Sequence, residues 1–277
     1  MMGLHILRKL RDSSREVWRH VRLYRWYLRS NWLSLMAYPV PFAMQNLFGI
    51  AYSLGSAASV WVLFSKIRAL GGWTLPQIML IYGLSIFSRS LFHLFWVGLM
   101  TLPGTIRSGE IDRTLVRPLH PLFQVLAGEL DSDDYGELAV ALYLIWTALG
   151  SLGQRTFANC LWILVAGLSG MLIFASLHLL ANATAFFTVE ARGASLLAWQ
   201  LDEFTRYPAD MYDRAVKNLI TWVIPVAFAS FYPAQVIFEN ARLAALARLT
   251  PVVAMACFSG AKAFWDYALD HYQGVGH

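Results

Sequence analysis

The sequence predicts an all-α integral membrane protein with six transmembrane helices. Hydrophobic residues make up 57% of the 277 residues and charged residues only 14%, whereas a soluble domain carries about 25% charged residues. Apolar runs of roughly the 20 residues needed to cross a bilayer recur along the chain. The basic residues behind the net charge of +5 lie mostly in loops between these runs. Their position favours membrane topology over nucleic-acid binding.

Residues 1–31 precede the first long apolar run and predict a separate segment. They hold eight Lys and Arg residues, a basic region too long for a signal peptide. Apolar residues recur near helical spacing among the arginines: Leu4, Leu7, Leu10, Val17 and Val21. We therefore predict a cytosolic amphipathic helix on the membrane surface, followed by one membrane domain over residues 32–277.

Six candidate spans follow in the membrane domain. They are about Trp32–Phe64, Gln77–Leu102, Leu138–Leu152, Cys160–Phe187, Asn218–Phe238 and Ala244–Phe264. The third is short and is expected to recruit residues before it. Pro225 and Pro233 indicate broken helices in the fifth span, part of which could be re-entrant, because few residues separate it from the sixth.

Lys and Arg residues predict the orientation of these spans. If the N-terminus is cytosolic, fifteen of them lie in the cytosolic segments 1–31, 105–119 and 192–217, and five lie on the opposite side. Such a bias favours cytosolic N- and C-termini in a multi-pass protein.

The polar segment after the second span, TIRSGEIDRTLVRPL (105–119), predicts a short amphipathic helix. Ser108 is a candidate N-cap, acidic residues occupy the first turn, and Pro118 ends the helix. Ile111, Leu115 and Leu119 form an apolar stripe. These residues leave two interpretations open: a membrane-surface helix without a partner, or a protruding helix that docks into another protein.

Three stretches together resemble a known family. The first is IRSGEIDRTLVRPLHPLFQVL, the second is RYPADMYDRAVKNLITWVIPVAFASFYPAQVIF, and the third is FWDYALDHYQGVGH. In order and spacing they are similar to the signatures of the six-helix ABC-2 membrane family, the permease subunits of ABC-2-type exporters. The resemblance runs from the second span to the C-terminus.

The resemblance implies a transmembrane subunit of an ATP-driven exporter in a bacterial-type inner membrane, moving a drug, lipid or other amphiphile. Segment 105–119 would be the coupling helix, seated in a separate ABC ATPase subunit that binds ATP and Mg. Residues 1–31 would be the interface helix, and a second permease chain, identical or a sister, would complete the pathway. The coupling residues would be Arg107, Gly109, Glu110, Asp112, Arg113, Leu115, Arg117 and Pro118.

The chain itself is not expected to be an enzyme. No G-x(4)-G-K-[ST] phosphate loop occurs, and the stretch ending at Lys262 lacks the first glycine and the final Ser or Thr. We therefore predict no catalytic residue, no bound cofactor and no metal ligand in this chain, and no nucleic acid among its partners.

Ionisable residues inside spans are functional candidates. Arg89 and His93 are four residues apart on the second span, with Trp96 close by, and could line a pathway or form a structural polar pair. His178 and Asn182 share a face of the fourth span, where interhelical hydrogen bonding is expected. The first three spans as drawn contain no carboxylate. An acidic cluster before the third span could attract cations or be a solvated loop: Glu129, Asp131, Asp133, Asp134 and Glu137.

Three rival functions are considered. An intramembrane protease could use Ser169 and His178, although their spacing does not support it. An ion-coupled transporter would show inverted repeats and buried acids at mid-membrane, which the sequence does not display. A scaffold subunit of a larger membrane assembly is the third. A co-purifying ATPase would distinguish the exporter from all three.

Overall fold

The structure is a computed structural model that describes residues 19, 21–67, 69–129, 131, 134–188 and 191–272. These residues are helical apart from loops and one isolated bridge between Leu70 and Trp73. The first seven helices are α1 (21–36), α2 (Pro39–Lys66), α3 (Leu75–Trp96), α4 (Gly98–Arg107), α5 (Glu110–Leu115), α6 (Pro121–Gly128) and α7 (Asp134–Ser151). The next seven are α8 (Phe157–Ala183), α9 (Ala185–Thr188), α10 (Arg192–Glu203), α11 (Arg214–Asn218), α12 (Phe231–Ile237), α13 (Ala244–Arg248) and α14 (Thr250–Asp270).

Helix α3 is the centre of the bundle. The backbone N–H of Thr74 donates to the side-chain oxygen of Gln77 at 3.0 Å, which caps the start of the helix. Leu80, Ile81 and Leu84 are fully buried in it. Helix α3 packs against α7 and α8, and α14 packs on the far side of α8. An apolar residue on every face, as in α3, is expected of a helix surrounded by other helices.

Among the described residues, three helical stretches are long and apolar enough to cross a membrane: Pro39–Lys66, Leu75–Trp96 and Phe157–Thr188. They coincide with the first, second and fourth predicted spans. Helix α7 has 18 residues and α14 has 21, and they occupy the predicted third and sixth positions. The prediction of six spans therefore stays a prediction for the other three.

The first predicted span begins at the wrong residue. A turn at residues 37–38 separates α1 from α2, and Pro39 occupies the start of α2. Proline lacks an N–H and disfavours a helical conformation in the preceding residue, and Tyr38 accordingly leaves the helix with φ −126° and ψ 70°. Of the predicted amphipathic segment, residues 1–18 and 20 lie outside the described residues.

The predicted break in the fifth span is confirmed at Pro225, whereas Pro233 lies inside α12. Helix α11 passes into a wider π-turn over Leu219–Val223, then a 3₁₀ turn over Val226–Ala229, before α12 begins. Pro225 separates the two turns, because it cannot supply the N–H that a continuous helix needs. The 3₁₀ turn is buried, including Phe228, as expected for non-helical backbone in a membrane protein, whereas Trp222 and Val223 of the π-turn are exposed.

Loops predicted to share a side of the membrane meet in the structure. At one end, the side-chain nitrogen of Gln154 donates to a carboxylate oxygen of Glu239 at 3.0 Å. At the other end, the side-chain nitrogen of Asn31 donates to the Ala127 carbonyl at 3.3 Å and the Gly128 carbonyl at 3.2 Å. These contacts agree with the predicted pairing of loops.

Candidate functional site

Two neighbouring helices bring four ionisable side chains together in the interior. Arg89 Nη2 lies 2.8 Å from Glu137 Oε2, and His93 Nδ1 lies 2.7 Å from Asp134 Oδ2. All four side chains are at most 14% exposed. Arg89 and His93 are four residues apart on α3, and Asp134 and Glu137 are three residues apart on α7. The two residues of each helix therefore lie on the same face of that helix. The interior of the bundle thus contains two buried acid–base contacts.

The helix at the position of the third predicted span carries two carboxylates that lie before the predicted span. Helix α7 begins at Asp134, four residues before the predicted third span, and therefore includes Glu137. Both carboxylates lie in its first turn, where the helix dipole stabilises negative charge. The solvated-loop interpretation of the acidic cluster fails for these two residues, while Glu129 is exposed and residue 133 lies outside the described residues.

The two pairs line a cavity of about 920 Å³, which we call the charged cavity. Helices α2, α3, α7 and α10 form its walls, with residues from the start of α4 and from the turn after α10. Its lining residues are Gln45, Phe48, Gly49, Tyr52, Arg89, His93, Val97, Met100, Asp131, Asp134, Glu137, Trp199, Glu203 and Arg206. The volume falls within the range of about 300 to 1,000 Å³ typical of small-molecule sites.

A further ion pair lies on the α10 side of the charged cavity. Glu203 Oε1 is 2.7 Å from Arg206 Nη2 and 4.0 Å from Arg89 Nη1. The Arg206 guanidinium also lies 5.8 Å from the ring centroid of Tyr52 on α2, within cation–π range. Ion pairs therefore connect α3, α7 and α10 around one space, and the contact of Arg206 with Tyr52 adds α2.

Helix α10 is held to α8 by a pair that is almost entirely buried. His178 Nε2 lies 2.9 Å from Asp202 Oδ2, and both side chains are 1% exposed. The Phe92 ring stacks on His178 with 5.0 Å between ring centroids. The prediction of interhelical hydrogen bonding by His178 is confirmed. The segment after the fourth predicted span forms α10, a separate helix that packs beside α8.

Asn182 supplies a hydrogen bond that a proline removes from α4. In an α-helix the N–H of residue 103 would donate to the carbonyl of Leu99, but Pro103 has no N–H. Asn182 Nδ2 donates to that carbonyl at 2.7 Å, and Ser195 Oγ donates to Asn182 Oδ1 at 2.6 Å. One buried amide therefore joins α4, α8 and α10, which confirms the second expected interhelical contact.

The predicted pathway residues divide into two groups. Arg89 and His93 line the charged cavity. Trp96 is not among its lining residues and instead stacks on Phe258 of α14, with ring centroids 5.6 Å apart. The structure therefore brings the first two together and separates the third, and a transport role for any of them stays a prediction.

Within segment 105–119, a tight turn joins the end of α4 to the short helix α5. Helix α4 ends at Arg107, and Gly109 adopts φ +72°, a left-handed conformation that residues with a side chain rarely adopt. Helix α5 then covers six residues. Ile106 and Ile111 are fully buried on either side of this turn, which holds the turn against the rest of the bundle.

Two details of the predicted helix are wrong. Ser108 is not the N-cap, because its hydroxyl donates back to the Thr105 carbonyl at 3.2 Å and Gly109 precedes the first helical residue. The helix ends at Leu115 rather than at Pro118. A six-residue helix cannot continue the apolar stripe to Leu119, which lies in the following turn.

Gln124, which the sequence analysis did not select, holds the end of this segment. Its Nε2 donates to the Thr114 carbonyl at 2.9 Å and to the Leu119 carbonyl at 3.0 Å. Gln124 is buried on α6. The Thr114 carbonyl also accepts from the Arg117 N–H at 3.4 Å, and the two bonds from Gln124 fix the end of α5 and the turn after it to α6.

The predicted coupling residues lie on both faces of the segment. Arg107, Glu110, Arg113, Arg117 and Pro118 are exposed, whereas Gly109, Asp112 and Leu115 are partly buried. Glu110, Arg113 and Arg117 also line a hollow of about 350 Å³ between this segment, α1 and α6. The exposed side chains present both signs of charge on a turn with a buried apolar underside.

Comparison with known proteins decides the family. Residues 40–276 match the family described as ABC-2 family transporter protein. The chain belongs to the ABC-2 family of transporter proteins. No curated protein and no solved structure matched it. Membership makes this chain a multi-pass membrane subunit for transport rather than a catalytic enzyme, and it implies an ABC ATPase partner.

Two chemical properties of the ABC-2 chain follow from its charged cavity. His93, Asp131 and Asp134 each bring one ligand atom within 4.8 Å of the others, a geometry that could hold a metal ion. His93 Nδ1 lies 2.7 Å from Asp134 Oδ2, and the two atoms share one hydrogen bond. Nε2 of the same ring is buried and makes no hydrogen bond to any described residue.

The protease alternative has no geometric support in the ABC-2 chain. The Ser169 hydroxyl donates to the Val165 carbonyl of its own helix at 2.7 Å, and His178 is paired with Asp202. Nine residues of helix separate Ser169 from His178, about 13 Å along the axis, which is too far for a nucleophile and its base.

Proposed function

We propose that this ABC-2 chain is the permease subunit of an ATP-driven exporter that moves a drug, lipid or other amphiphile out of the cytosol. In this proposal it spans a bacterial-type inner membrane six times, with both termini cytosolic. A separate ABC ATPase subunit, which holds ATP and Mg, contacts segment 105–119. A second permease chain, identical or related, completes the pathway.

The observation that carries the proposal is the rigid attachment of segment 105–119. A turn that transmits force must be exposed where the ATPase binds and fixed where it meets the spans. Its underside is anchored by Ile106 and Ile111, and its end is anchored by the hydrogen bonds from Gln124. Movement of the exposed face would therefore tilt α4 and α6, and through them the spans on either side.

The position of the charged cavity supports export from the cytosol. On the predicted topology, the first half of α2, the second half of α3 and the first turn of α7 all lie toward the cytosolic side. Those are the parts that line the cavity, together with α10 and Arg206 from the predicted cytosolic segment. A substrate arriving from the cytosol would reach this space first.

The experiment is co-purification of the tagged chain in mild detergent, with the eluate assayed for an ATPase partner and vanadate-sensitive hydrolysis. We expect a partner with the wild type and its loss with Arg117→Ala and Asp112→Ala. Arg242→Ala is the matched control, because this exposed arginine lies in a loop predicted on the opposite side. Absence of any ATPase, or full activity in the first two variants, would refute coupling through this segment.

A second pair of variants tests the rigid attachment. Gln124→Leu removes both hydrogen bonds from the end of segment 105–119 while keeping a side chain of similar size. We expect it to reduce the ATPase activity that co-purifies. Gln154→Leu is the control, since this glutamine also bridges two segments, but at the opposite end of the bundle. Equal effects of the two variants would indicate a general loss of stability.

An ion-coupled transporter is the second candidate, because the structure contains buried carboxylates at Asp134, Glu137 and Asp202. Such groups are typical of proton or ion relays in membranes. Reconstitution of the chain without an ATPase distinguishes the two functions. Substrate accumulation driven by an imposed pH or sodium gradient would favour the ion-coupled transporter.

A further inference from the structure

We propose that His93, Asp131 and Asp134 form a binding site for a divalent transition-metal ion in the wall of the charged cavity. The inference goes beyond the proposed function, because it concerns an ion held by this chain itself and not the transported amphiphile. It is carried by the geometry of three ligand atoms and by one buried ring nitrogen. His93 and Asp134 are 41 positions apart, so no ligand spacing in the sequence indicates this site.

The three side chains converge on one point of the cavity wall. Each offers one ligand atom, and the three atoms lie within 4.8 Å of one another. Atoms this close have a common point at most about 2.8 Å from each of them, and small side-chain rotations would shorten this to the roughly 2.0 to 2.6 Å of metal–nitrogen and metal–oxygen bonds. One ion can therefore contact all three residues.

His93 gives an independent indication of a ligand. The residue is 7% exposed, and its Nε2 is buried without a hydrogen bond to the part of the chain that the structure describes. A buried polar atom is costly unless it has a partner. The other ring nitrogen, Nδ1, lies 2.7 Å from Asp134 Oδ2. Metal-bound histidines usually hold their second nitrogen in such a contact with a carboxylate, so the pair with Asp134 would orient the ring for a metal at Nε2.

Asp134 and Asp131 supply the two carboxylates of the site. Asp134 is buried in the first turn of α7. Asp131 is partly buried and also interacts within the chain. A carboxylate has two oxygens with about four lone-pair positions, so each residue can keep its present contact and still bind a metal ion. Two carboxylates also match the charge of a divalent ion.

The types of ligand select the class of metal. Mg²⁺ and Ca²⁺ are bound almost entirely by oxygen atoms, whereas imidazole favours transition metals such as Zn²⁺ and Fe²⁺. Mn²⁺ accepts carboxylates and imidazole together, and it is paramagnetic. We therefore use Mn²⁺ as the probe and Zn²⁺ as the competitor.

Two arginines in the same lining oppose a cation. Arg89 pairs with Glu137 at 2.8 Å and Arg206 with Glu203 at 2.7 Å, and the Nε atoms of both arginines are buried without a hydrogen bond to any described residue. A guanidinium group has only donors and cannot bind a metal ion. Binding of a cation therefore requires direct ligation by the three residues and not a general attraction by the lining. The two Nε donors would instead suit an anion, which the experiment has to distinguish.

The test is electron paramagnetic resonance of Mn²⁺ added to the purified chain in phosphatidylcholine nanodiscs, prepared with a tag that lacks histidine. Loss of the sharp signal of free Mn²⁺ measures binding, and spin-echo modulation detects a nitrogen ligand. We expect one saturable site, from which Zn²⁺ displaces Mn²⁺. Asp131→Asn and His93→Gln should each weaken it by about tenfold or more, since losing even an outer partner of a ligand costs about 10- to 100-fold. The nitrogen signal should disappear in His93→Gln.

Two control variants make the same change from carboxylate to amide outside the ligand set. Glu129 is exposed in the same acidic segment, and Glu203 lines the charged cavity. Neither belongs to the group of three ligands. Glu129→Gln and Glu203→Gln should leave the affinity for Mn²⁺ unchanged. Thermal unfolding followed by circular dichroism establishes that each variant is folded.

Saturable Mn²⁺ binding with a nitrogen ligand, weakened by Asp131→Asn but not by the two controls, would support the proposal. No saturable binding by the folded wild type, bound Mn²⁺ without a nitrogen signal, or an equal effect of Glu203→Gln would overturn it. Inorganic phosphate that binds and excludes Mn²⁺ would also overturn it, in favour of an anion site. Because neither ATPase activity nor transport is measured, the metal site and the proposed function can fail independently.

Discussion

The pair formed by Arg89 and Glu137 gives the most stringent test of the buried charges. Their side chains are 10% and 14% exposed, and their nearest atoms are 2.8 Å apart. At an effective dielectric constant of about 20, the Coulomb attraction at that separation is roughly 6 kcal/mol before the desolvation of both groups is subtracted. Removing one partner of a buried pair typically destabilises a protein by about 3 to 5 kcal/mol, because the other charge is left uncompensated.

A double-mutant cycle separates the interaction energy of the pair from the cost of desolvating its two charges. We expect Glu137→Leu to lower the free energy of unfolding by about 3 kcal/mol, at the low end of that range, because Glu203 remains 4.0 Å from Arg89. Arg89→Met is expected to have a similar effect. The double variant Arg89→Met/Glu137→Leu should lie within about 1 kcal/mol of wild type, since both charges are gone. With single losses of about 3 kcal/mol each and a double loss of at most about 1 kcal/mol, the coupling energy would be about 5 kcal/mol.

The assay is reversible unfolding in mixed micelles, with melting temperature as a second readout. The matched exposed pair is Lys262 and Asp266 on α14, which are 2.6 Å apart with side chains 46% and 44% exposed. Its cycle should give a coupling of about 0.5 kcal/mol or less. Equal coupling energies in the two cycles would refute the argument that burial makes the Arg89 pair important for stability.

Three further outcomes follow from the structure. Gly98→Ala should destabilise the protein by about 1 to 3 kcal/mol, because a Cβ there would overlap a backbone carbonyl of α6. Gly104→Ala on the same helix is the control, since a Cβ at that position meets nothing within 4 Å. In a thermal unfolding assay this control should be neutral or stabilising. Asn182→Leu should lower the free energy of unfolding by about 1 to 3 kcal/mol, because it leaves the Leu99 carbonyl unpaired; recovery by Asn182→Gln would argue against such strict geometry. Burial raises the pKa of Tyr212 to about 12, so the neutral form of this side chain is favoured in the folded protein. The wild type should therefore lose stability relative to Tyr212→Phe as pH rises from about 10 to 12. Unfolding midpoints measured across that range, with the folded-state titration followed by ultraviolet absorbance, check the direction of this change.

Local patterns in the sequence were sufficient for several elements. Runs of apolar residues predicted α2, α3 and α8, because the hydrophobic requirement for crossing a bilayer depends on composition over about 20 residues. Proline predicted the broken region before α12, because its effect on backbone hydrogen bonding is local. The same rule, applied to Pro39, would have given the correct start of α2.

The charged cavity could not be assembled from such patterns. Asp134 and Glu137 appear in the sequence as part of an acidic loop, and only the packing of α7 against α3 pairs them with His93 and Arg89. Their spacing of three residues immediately before an apolar run was a usable signal of a helix start. Gln124 carried no signal, because its partners are backbone carbonyls, which any residue supplies.

By itself the sequence determined that this chain is a helical membrane protein of the ABC-2 family, since hydropathy and short motifs are properties of contiguous residues. The tertiary structure decided that the turn at Gly109 is anchored through Gln124 and that acids from α7 and α10 face arginines from elsewhere in the chain. The physical reason is that the energy of a buried charge depends on which opposite charge lies within a few ångströms. That distance is set by helix packing between residues as far apart in sequence as Arg89 and Glu203.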